Sequence, residues 1–174
     1  MRYLLIVILA SMVAVLSCSP PPQNAENNSD TQTEVTSTDN AEAIPAYEPG
    51  SWTEDWETAI SAAQEMQRPI LVNFTGSDWC VWCMRLKDEV FSQEEFQSYA
   101  KDNLIMLKLD FPREIKQSDE LKKQNNDLLQ EFGVQGFPTI LLLNGEGKEI
   151  ARTGYQRGGV SSYVKHLQQL LEQN

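Results

Sequence analysis

Two of the three cysteines, Cys80 and Cys83, are separated only by Val81 and Trp82. Such a pair can form a reversible disulfide for thiol–disulfide exchange, supply half of a zinc site, or form a structural disulfide. Zinc usually takes four ligands, but the chain offers no second Cys-x-x-Cys and only one histidine, His166. A disulfide that closes so short a loop constrains the unfolded chain very little. The pair therefore favours redox chemistry, with no metal and no cofactor.

The residues around the pair predict a strand, a turn and a helix, in that order. Ile70 to Phe74 is a short apolar run typical of a buried strand, Thr75 to Asp78 predicts a turn, and Cys80 to Val90 predicts a helix. Cys80 then lies at a helix start, where unpaired N–H groups and the helix dipole stabilise an anion. Because the thiolate is the nucleophile, we expect Cys80 to attack a substrate disulfide and Cys83 to resolve the mixed disulfide.

The rest of the domain alternates helices and strands. This order predicts an α/β fold of three layers, with a mixed central sheet, helices on both faces and an antiparallel hairpin at one edge. The other predicted helices are Glu54–Gln67, Ser92–Ala100 with Ser92 as N-cap, Ser118–Phe132, and a last helix with Val160, Val164, Leu167 and Leu171 on one face. The other predicted strands are Leu104–Asp110, Phe137–Leu143 and Lys148–Thr153.

The stretch from about Trp52 to Asn174 resembles the thioredoxin superfamily. The resemblance is carried by Phe74, by Trp79-Cys80-Val81-Trp82-Cys83 and by the later run Gly136-Phe137-Pro138-Thr139. It implies a thioredoxin-like fold, and it resembles most the thioredoxin-like proteins of exported bacterial reductant pathways. These include the C-terminal domain of the transmembrane disulfide reductase that feeds electrons to the periplasm.

The same resemblance implies a set of substrate contacts. In that fold the bond before the matching proline is cis, its loop lies against the cysteine pair, and the adjacent backbone pairs with the substrate chain. Phe137, Pro138 and Thr139 are therefore candidate substrate contacts. Trp79 matches the aromatic residue before the first cysteine, and Trp82 follows the nucleophile closely enough to face a substrate as readily as to pack in the core.

Two positions depart from well-known members of the superfamily. The dipeptide Val81-Trp82 is neither Gly-Pro, as in cytosolic thioredoxins, nor Pro-His, as in strong oxidants, and the lack of a histidine favours a reductase. Thioredoxins also carry a buried acid on the preceding strand, and the nearest residue here is Asn73, which cannot act as a base. Water, Asp78 or another group would then have to assist Cys83.

Residues 1–17 predict a signal peptide. One positive charge, Arg2, precedes the apolar run Leu4–Leu16, which is shorter than the roughly 20 residues that span a bilayer. The run Val15-Leu16-Ser17-Cys18 resembles the lipobox of bacterial lipoproteins, which implies lipidation of Cys18. The alternative is a signal cut near Ser17 or Ser19 without lipid. Because Asp typically follows the cysteine in inner-membrane lipoproteins, Ser19 favours the outer membrane.

Residues 18–50 predict a lipid-anchored, flexible, acidic linker, since they are rich in Pro, Asn, Ser, Thr and Glu and contain few aliphatic side chains. Residues 51–174 predict the folded domain. The chain carries a net charge of −11, which argues against nucleic acid as a partner, because binders of nucleic acid need a basic footprint.

These features predict a thiol–disulfide oxidoreductase of the bacterial cell envelope, lipid-anchored and facing the periplasm. We expect a monomeric protein-disulfide reductase that acts on the disulfides of exported proteins and is re-reduced by a membrane electron donor. The alternatives are a disulfide oxidase or isomerase of the same fold, and a non-catalytic, lipid-anchored binding module whose disulfide is structural.

Overall fold

The computed structural model describes residues 46–173. The predicted signal peptide, Cys18 and most of the predicted linker lie outside these residues. Within them, no helix is long and apolar enough to cross a membrane. The packed part of the chain starts earlier than the predicted boundary at Ser51, because Tyr47 packs against the core. The Tyr47 hydroxyl donates to the carbonyl of Ser51 at 2.8 Å and accepts from the N–H of Met106 at 2.9 Å.

A five-stranded mixed sheet forms the centre of the fold, in the order β1-β3-β2-β4-β5. Strands β1 and β2 run parallel to β3, whereas β4 is antiparallel to β2 and β5 is antiparallel to β4. The strands are β1 (Trp52–Thr53), β2 (Ile70–Thr75), β3 (Ile105–Asp110), β4 (Thr139–Leu143) and β5 (Glu149–Thr153). The predicted mixed sheet and its antiparallel hairpin edge are thereby confirmed.

Within residues 46–173, five α-helices cover the sheet: α1 (Trp56–Met66), α2 (Val81–Leu86), α3 (Glu94–Asn103), α4 (Asp119–Glu131) and α5 (Gly159–Glu172). A π-helical segment, Lys87–Phe91, continues directly from α2. The predicted order of helices and strands is confirmed, apart from β1. That strand has only two residues, which is too short to show an alternating pattern.

Each face of the sheet has its own hydrophobic core, because side chains alternate between the faces along a strand. On one face Val72 and Phe74 of β2 pack with alanines of α1 and with Leu128 of α4. On the other face Leu71 packs with α2, α3 and α5 through Leu86, Phe96 and Tyr163. All six residues of β2 are buried. A short turn connects the end of this buried strand to Cys80, so the strand fixes the position from which the cysteine motif starts.

The predicted N-cap at Ser92 is wrong. The π-helical segment ends at Phe91, and the Ser92 N–H donates to the carbonyl of Lys87 at 2.8 Å. Helix α3 starts one residue later than a Ser92 cap requires, with Gln93 as its N-cap and no side-chain capping bond. The Ser92 N–H closes the last turn of the π-helical segment, so Ser92 belongs to the end of that segment and not to the start of α3. A Ser-x-x-Glu pattern in the sequence does not reveal this.

Candidate active site

Cys80 and Cys83 are joined by a disulfide, and their Cα atoms lie 5.2 Å apart. Cys80 is the N-cap of α2, as predicted, and its Sγ accepts a hydrogen bond from the Cys83 N–H at 3.2 Å. The two residues are only 6% and 5% exposed, respectively. A backbone N–H and a helix N-terminus beside a cysteine favour the thiolate, which is the form that attacks disulfides.

The turn before Cys80 is anchored to the end of β3. The Ser77 N–H and hydroxyl donate to the two carboxylate oxygens of Asp110 at 2.9 and 2.6 Å, and Asp110 is buried. The Cys80 N–H donates to the carbonyl of Gly76 at 2.9 Å. A Cβ at Gly76 would stand 2.5 Å from the indole of Trp79, so only glycine admits this close approach. Cys80 is thus held by a turn with little freedom.

Asp78 anchors the loop that follows β3. Its carboxylate accepts the backbone N–H groups of Arg113 at 3.0 Å, Glu114 at 2.8 Å and Ile115 at 3.3 Å. These hydrogen bonds, led by the one from Glu114, lower the pKa of the Asp78 carboxyl. The carboxylate is therefore engaged with this loop, which argues against Asp78 as the group that takes a proton from Cys83.

Trp79 joins three parts of the site. Its indole N–H donates to the carbonyl of Phe111 at 2.8 Å, and the guanidinium of Arg113 lies 4.2 Å from its ring centroid. Its ring also meets that of Phe137 edge to face, with centroids 5.8 Å apart. Trp79 thereby packs the turn before Cys80 against the loop after β3 and against the loop that carries Pro138.

An open groove of about 560 Å³ adjoins the cysteine motif through Trp82, which lies between Cys80 and Cys83 in the sequence. It is lined by Trp82, Phe137, Pro138, Tyr155, Gln156 and Arg157. The bond between Phe137 and Pro138 is cis, as the resemblance implies, and Trp82 is 46% exposed. The structure thus brings three of the five predicted substrate contacts together. Thr139 does not line the groove, and its hydroxyl donates to the carbonyl of Gly136 at 2.8 Å.

Trp82 is supported by a cluster of polar and aromatic side chains. The ring of Tyr155 lies 5.2 Å from that of Trp82, and the Arg85 guanidinium lies 5.0 Å from the Trp82 centroid. The Tyr155 hydroxyl donates to Glu89 Oε2 at 2.7 Å, and Glu89 also pairs with Arg85 at 3.5 Å. The hydrogen bond to Glu89 raises the pKa of Tyr155.

The groove contains three residues that sequence reasoning missed as site residues: Tyr155, Gln156 and Arg157. In the sequence they resemble an ordinary loop before the last helix. The one signal in the sequence was the Gly158-Gly159 pair that follows them. In the structure both glycines have a positive φ, of 118° and 74°. Two consecutive residues with positive φ indicate a backbone conformation that requires glycine, but they do not indicate that the preceding residues line a groove.

A second cavity, of about 520 Å³, reaches Cys83. Asn73 and Lys108 line it, as does Asp88, its one carboxylate among the residues that the structure describes. Asn73 is buried, and within the described chain its Oδ1 has no hydrogen-bond partner. Lys108, the residue of β3 that lies beside Asn73 of β2, forms an ion pair with Glu54 at 2.6 Å. Strand β2 therefore offers Cys83 an amide at this position and no base. Among residues 46–173 no group of three or more His, Cys, Asp and Glu side chains could hold a metal ion.

Comparison with known proteins gives consistent matches. A family model described as a thioredoxin-like domain matches residues 56–170. The disulfide bond reductase DsbH of Chlamydia pneumoniae is 34% identical over 119 residues, which cover 68% of this chain and 72% of that protein. A solved structure of a DsbH oxidoreductase has a TM-score of 0.68 and 30% identity, and the match covers 87% of this chain and 96% of that one.

Longer relatives match only in part. The thioredoxin-related protein DsbJ of Chlamydia pneumoniae is 30% identical over 103 residues, which cover 59% of this chain and 30% of that protein. The thiol:disulfide interchange protein DsbD of Yersinia enterocolitica is 32% identical over 113 residues, or 62% of this chain and 17% of that protein. The matched part of these two proteins is thus less than a third of their length.

Proposed function

The chain belongs to the thioredoxin-like domain family and is homologous to Dsb thiol–disulfide oxidoreductases, and we propose that it works as a protein-disulfide reductase. The observation that carries the proposal is the placement of Cys80, at the N-cap of α2 with its Sγ accepting a hydrogen bond from the Cys83 N–H, in a motif whose Trp82 lines an open groove. A purely structural disulfide has no need of such a groove.

The reaction needs only the two cysteines. The Cys80 thiolate attacks one sulfur of a substrate disulfide, the substrate S–S bond breaks, and the departing substrate thiolate takes a proton. The Cys83 thiol then loses its proton and attacks Cys80 Sγ, which breaks the bond between Cys80 and the substrate. The products are a reduced substrate and the Cys80–Cys83 disulfide, so two electrons pass to the substrate. A membrane electron donor must then return two electrons.

Two features support the reducing direction. A strongly stabilised thiolate makes a dithiol a poor reductant, and the Val81-Trp82 dipeptide supplies no cation to Cys80. The protein of Chlamydia pneumoniae that is similar over most of its length is named a disulfide bond reductase. A disulfide oxidase or isomerase remains the second candidate, because the same two cysteines can run the exchange in reverse.

The predicted location belongs to the same proposal. The chain is exported, lipidated at Cys18 and anchored in the bacterial envelope facing the periplasm, with the outer membrane favoured over the inner, and it works as a monomer. The lipobox-like run that ends at Cys18 supports this reading. Labelling with radioactive palmitate tests it: label should enter the wild type and be lost in Cys18→Ala.

Insulin reduction tests the activity. The wild type with a competent reductant should reduce insulin, Cys80→Ser should lose the activity entirely, and Cys83→Ser should accumulate a mixed disulfide on Cys80 because resolution is blocked. Lys123→Gln, on the exposed face of α4, serves as the control and should match the wild type. Equal activity in wild type and Cys80→Ser would defeat the enzyme proposal.

The equilibrium potential of the pair tests the direction. Titration against glutathione should give a value in the range of reductants of this fold, about −230 to −270 mV. A value near the oxidising extreme, about −120 mV, would sink the reductase proposal and favour the oxidase.

A further inference from the structure

The groove beside the cysteine pair has one charged lining residue among the residues that the structure describes, Arg157. Arg157 makes no ion pair within residues 46–173, whereas Arg85 is paired with Glu89 and Arg152 with Glu149. A guanidinium that lines an aromatic groove and lacks a carboxylate partner is free to bind one from outside. The whole chain carries a net charge of −11, which disfavours acidic partners in general.

The loop that carries Arg157 is fixed at both ends. At the start, a Cβ on Gly154 would lie 3.0 Å from the carbonyl of Pro138, so this backbone approaches the Pro138 loop closely. Tyr155, next along the chain, is held by its hydrogen bond to Glu89. At the end, Gly158 adopts a φ of 118°. A Cβ on Gly158 would also lie 3.0 Å from Ser162, so the backbone that carries Arg157 is held against the Pro138 loop at one end and against α5 at the other.

The acidic side chain that contacts the groove residue Tyr155 is already engaged. Glu89 accepts from the Tyr155 hydroxyl through Oε2 and pairs with Arg85 through Oε1. It is thus occupied by a phenol and a second guanidinium, and the positive charge of Arg157 stays available to a substrate.

We propose that Arg157 determines substrate specificity by binding a carboxylate on the substrate residue next to the attacked cysteine. This inference rests on the proposed function, because Cys80 fixes the position of the substrate sulfur and thereby that of its neighbours. The side chain that enters the groove meets Trp82 and Tyr155 along its length and Arg157 at its charged end. A guanidinium binds a carboxylate through two parallel N–H···O bonds, which lysine cannot reproduce.

Three disulfide-containing peptides test the proposal. They are identical except for the residue next to the cysteine, which is Glu, Gln or Lys, and kcat/KM is measured with the reduced full-length protein. The wild type should prefer the Glu peptide over the Lys peptide about twofold to fivefold, as one exposed ion pair allows. The preference should shrink at high salt, because exposed charge pairs are screened.

Variants of the same side chain sharpen the test. Arg157→Gln should bring the ratio of Glu to Lys peptides close to one, and Arg157→Lys should keep only part of it. Lys123→Gln, which removes an exposed positive charge on α4, should keep the full ratio. Loss of stability in a variant lowers kcat/KM for all three peptides alike and leaves the ratio unchanged, so the ratio reports the contact itself.

Two outcomes are distinguishable failures. A wild type that reduces all three peptides equally, or an Arg157→Gln variant that keeps the wild-type ratio, overturns the role of Arg157 and leaves the reductase proposal intact. A wild type that dithiothreitol reduces, but that reduces none of the peptides, overturns the proposed function and this inference with it.

Discussion

The two cysteines of the motif have opposite surroundings. On the side of Cys80, Ser77 is bound by Asp110, and Asp78 binds three backbone N–H groups of the loop after β3. On the side of Cys83, the buried amide of Asn73 keeps an oxygen without a partner among the described residues. The two regions are adjacent, yet one has its polar groups matched and the other does not.

This difference separates two tasks of the site. Asp110 is buried and both of its carboxylate oxygens accept hydrogen bonds from Ser77, which suits a turn that holds Cys80 in one position. An unpaired buried acceptor costs about 1–3 kcal/mol and is uncommon away from functional regions. We infer that the fold holds the position of Cys80 tightly and leaves the proton transfer from Cys83 to groups outside β2.

The largest expected effect comes from removing the carboxylate that holds the turn. Asp110→Ala should lower the free energy of unfolding by about 3 kcal/mol. The substitution removes a carboxylate that is 6% exposed, and the N–H and hydroxyl of Ser77 lose their acceptor. Urea unfolding of the oxidised protein measures the change. Insulin reduction should fall as well, since the turn that carries Cys80 loses its support.

The control removes an exposed carboxylate in the same way. Asp127→Ala breaks the surface pair between Asp127 and Lys123 and should change the free energy of unfolding by less than about 0.5 kcal/mol. If the two variants unfold at the same urea concentration, the contrast between an anchored turn and the rest of the molecule is lost.

A second prediction supplies the base that β2 lacks. Asn73→Asp places a carboxylate in the cavity that reaches Cys83, and it should shorten the lifetime of the mixed disulfide about tenfold once it is ionised. The acceleration should therefore grow as the pH rises through the pKa of the new carboxyl. Stopped-flow release of a chromophoric thiol from Cys80 measures the rate of resolution.

Asn73→Val is the matched variant without a base. It removes the unpaired amide and puts a β-branched side chain in the middle of a buried strand, so it should raise the free energy of unfolding by about 1 kcal/mol. Its rate of resolution should equal that of the wild type. Equal rates in Asn73→Asp and Asn73→Val would mean that a carboxylate at this position gives Cys83 no help.

The anchored side of this comparison was the harder one to predict from sequence. The strand β2 and the N-cap position of Cys80 follow from local signals, an apolar run and a helical pattern. The carboxylate that holds Ser77 belongs to Asp110, 33 residues further on, and no periodicity links them. The role of Asp78 was likewise hidden, because its partners are backbone N–H groups of a distant loop.

The unanchored side shows the converse. Asn73 stood out from the sequence because the resemblance implies an acid there, and the structure places it in the cavity with Cys83. Which group assists Cys83 in place of an acid could not be predicted, because the residues around the cavity come from three strands, from α2, α3 and the π-helical segment, and from the turn before Cys80. Arg157 was missed for the same reason, since only the folded chain brings it beside Trp82.

The smallest expected effect is a local one, the release of the loop after β3 at low pH. The pKa of Asp78 is lowered by the N–H groups it binds, above all that of Glu114. A carboxyl with a lowered folded pKa contributes stability that is present above its unfolded pKa, about 3.9, and is lost as the pH falls through the folded value. The loop should therefore stay bound at neutral pH and detach only in acid.

Amide resonances of Arg113, Glu114 and Ile115 report this titration directly. They should shift together with a midpoint below the ordinary range for aspartate, and the shift should vanish in Asp78→Asn, whose neutral amide does not ionise. Because Arg113 stacks on Trp79, the indole N–H resonance of Trp79 should move at the same midpoint. A midpoint at the ordinary aspartate value, or a titration that survives in Asp78→Asn, would show that Asp78 does not hold the loop, and the Cys80 side would then rest on Asp110 alone.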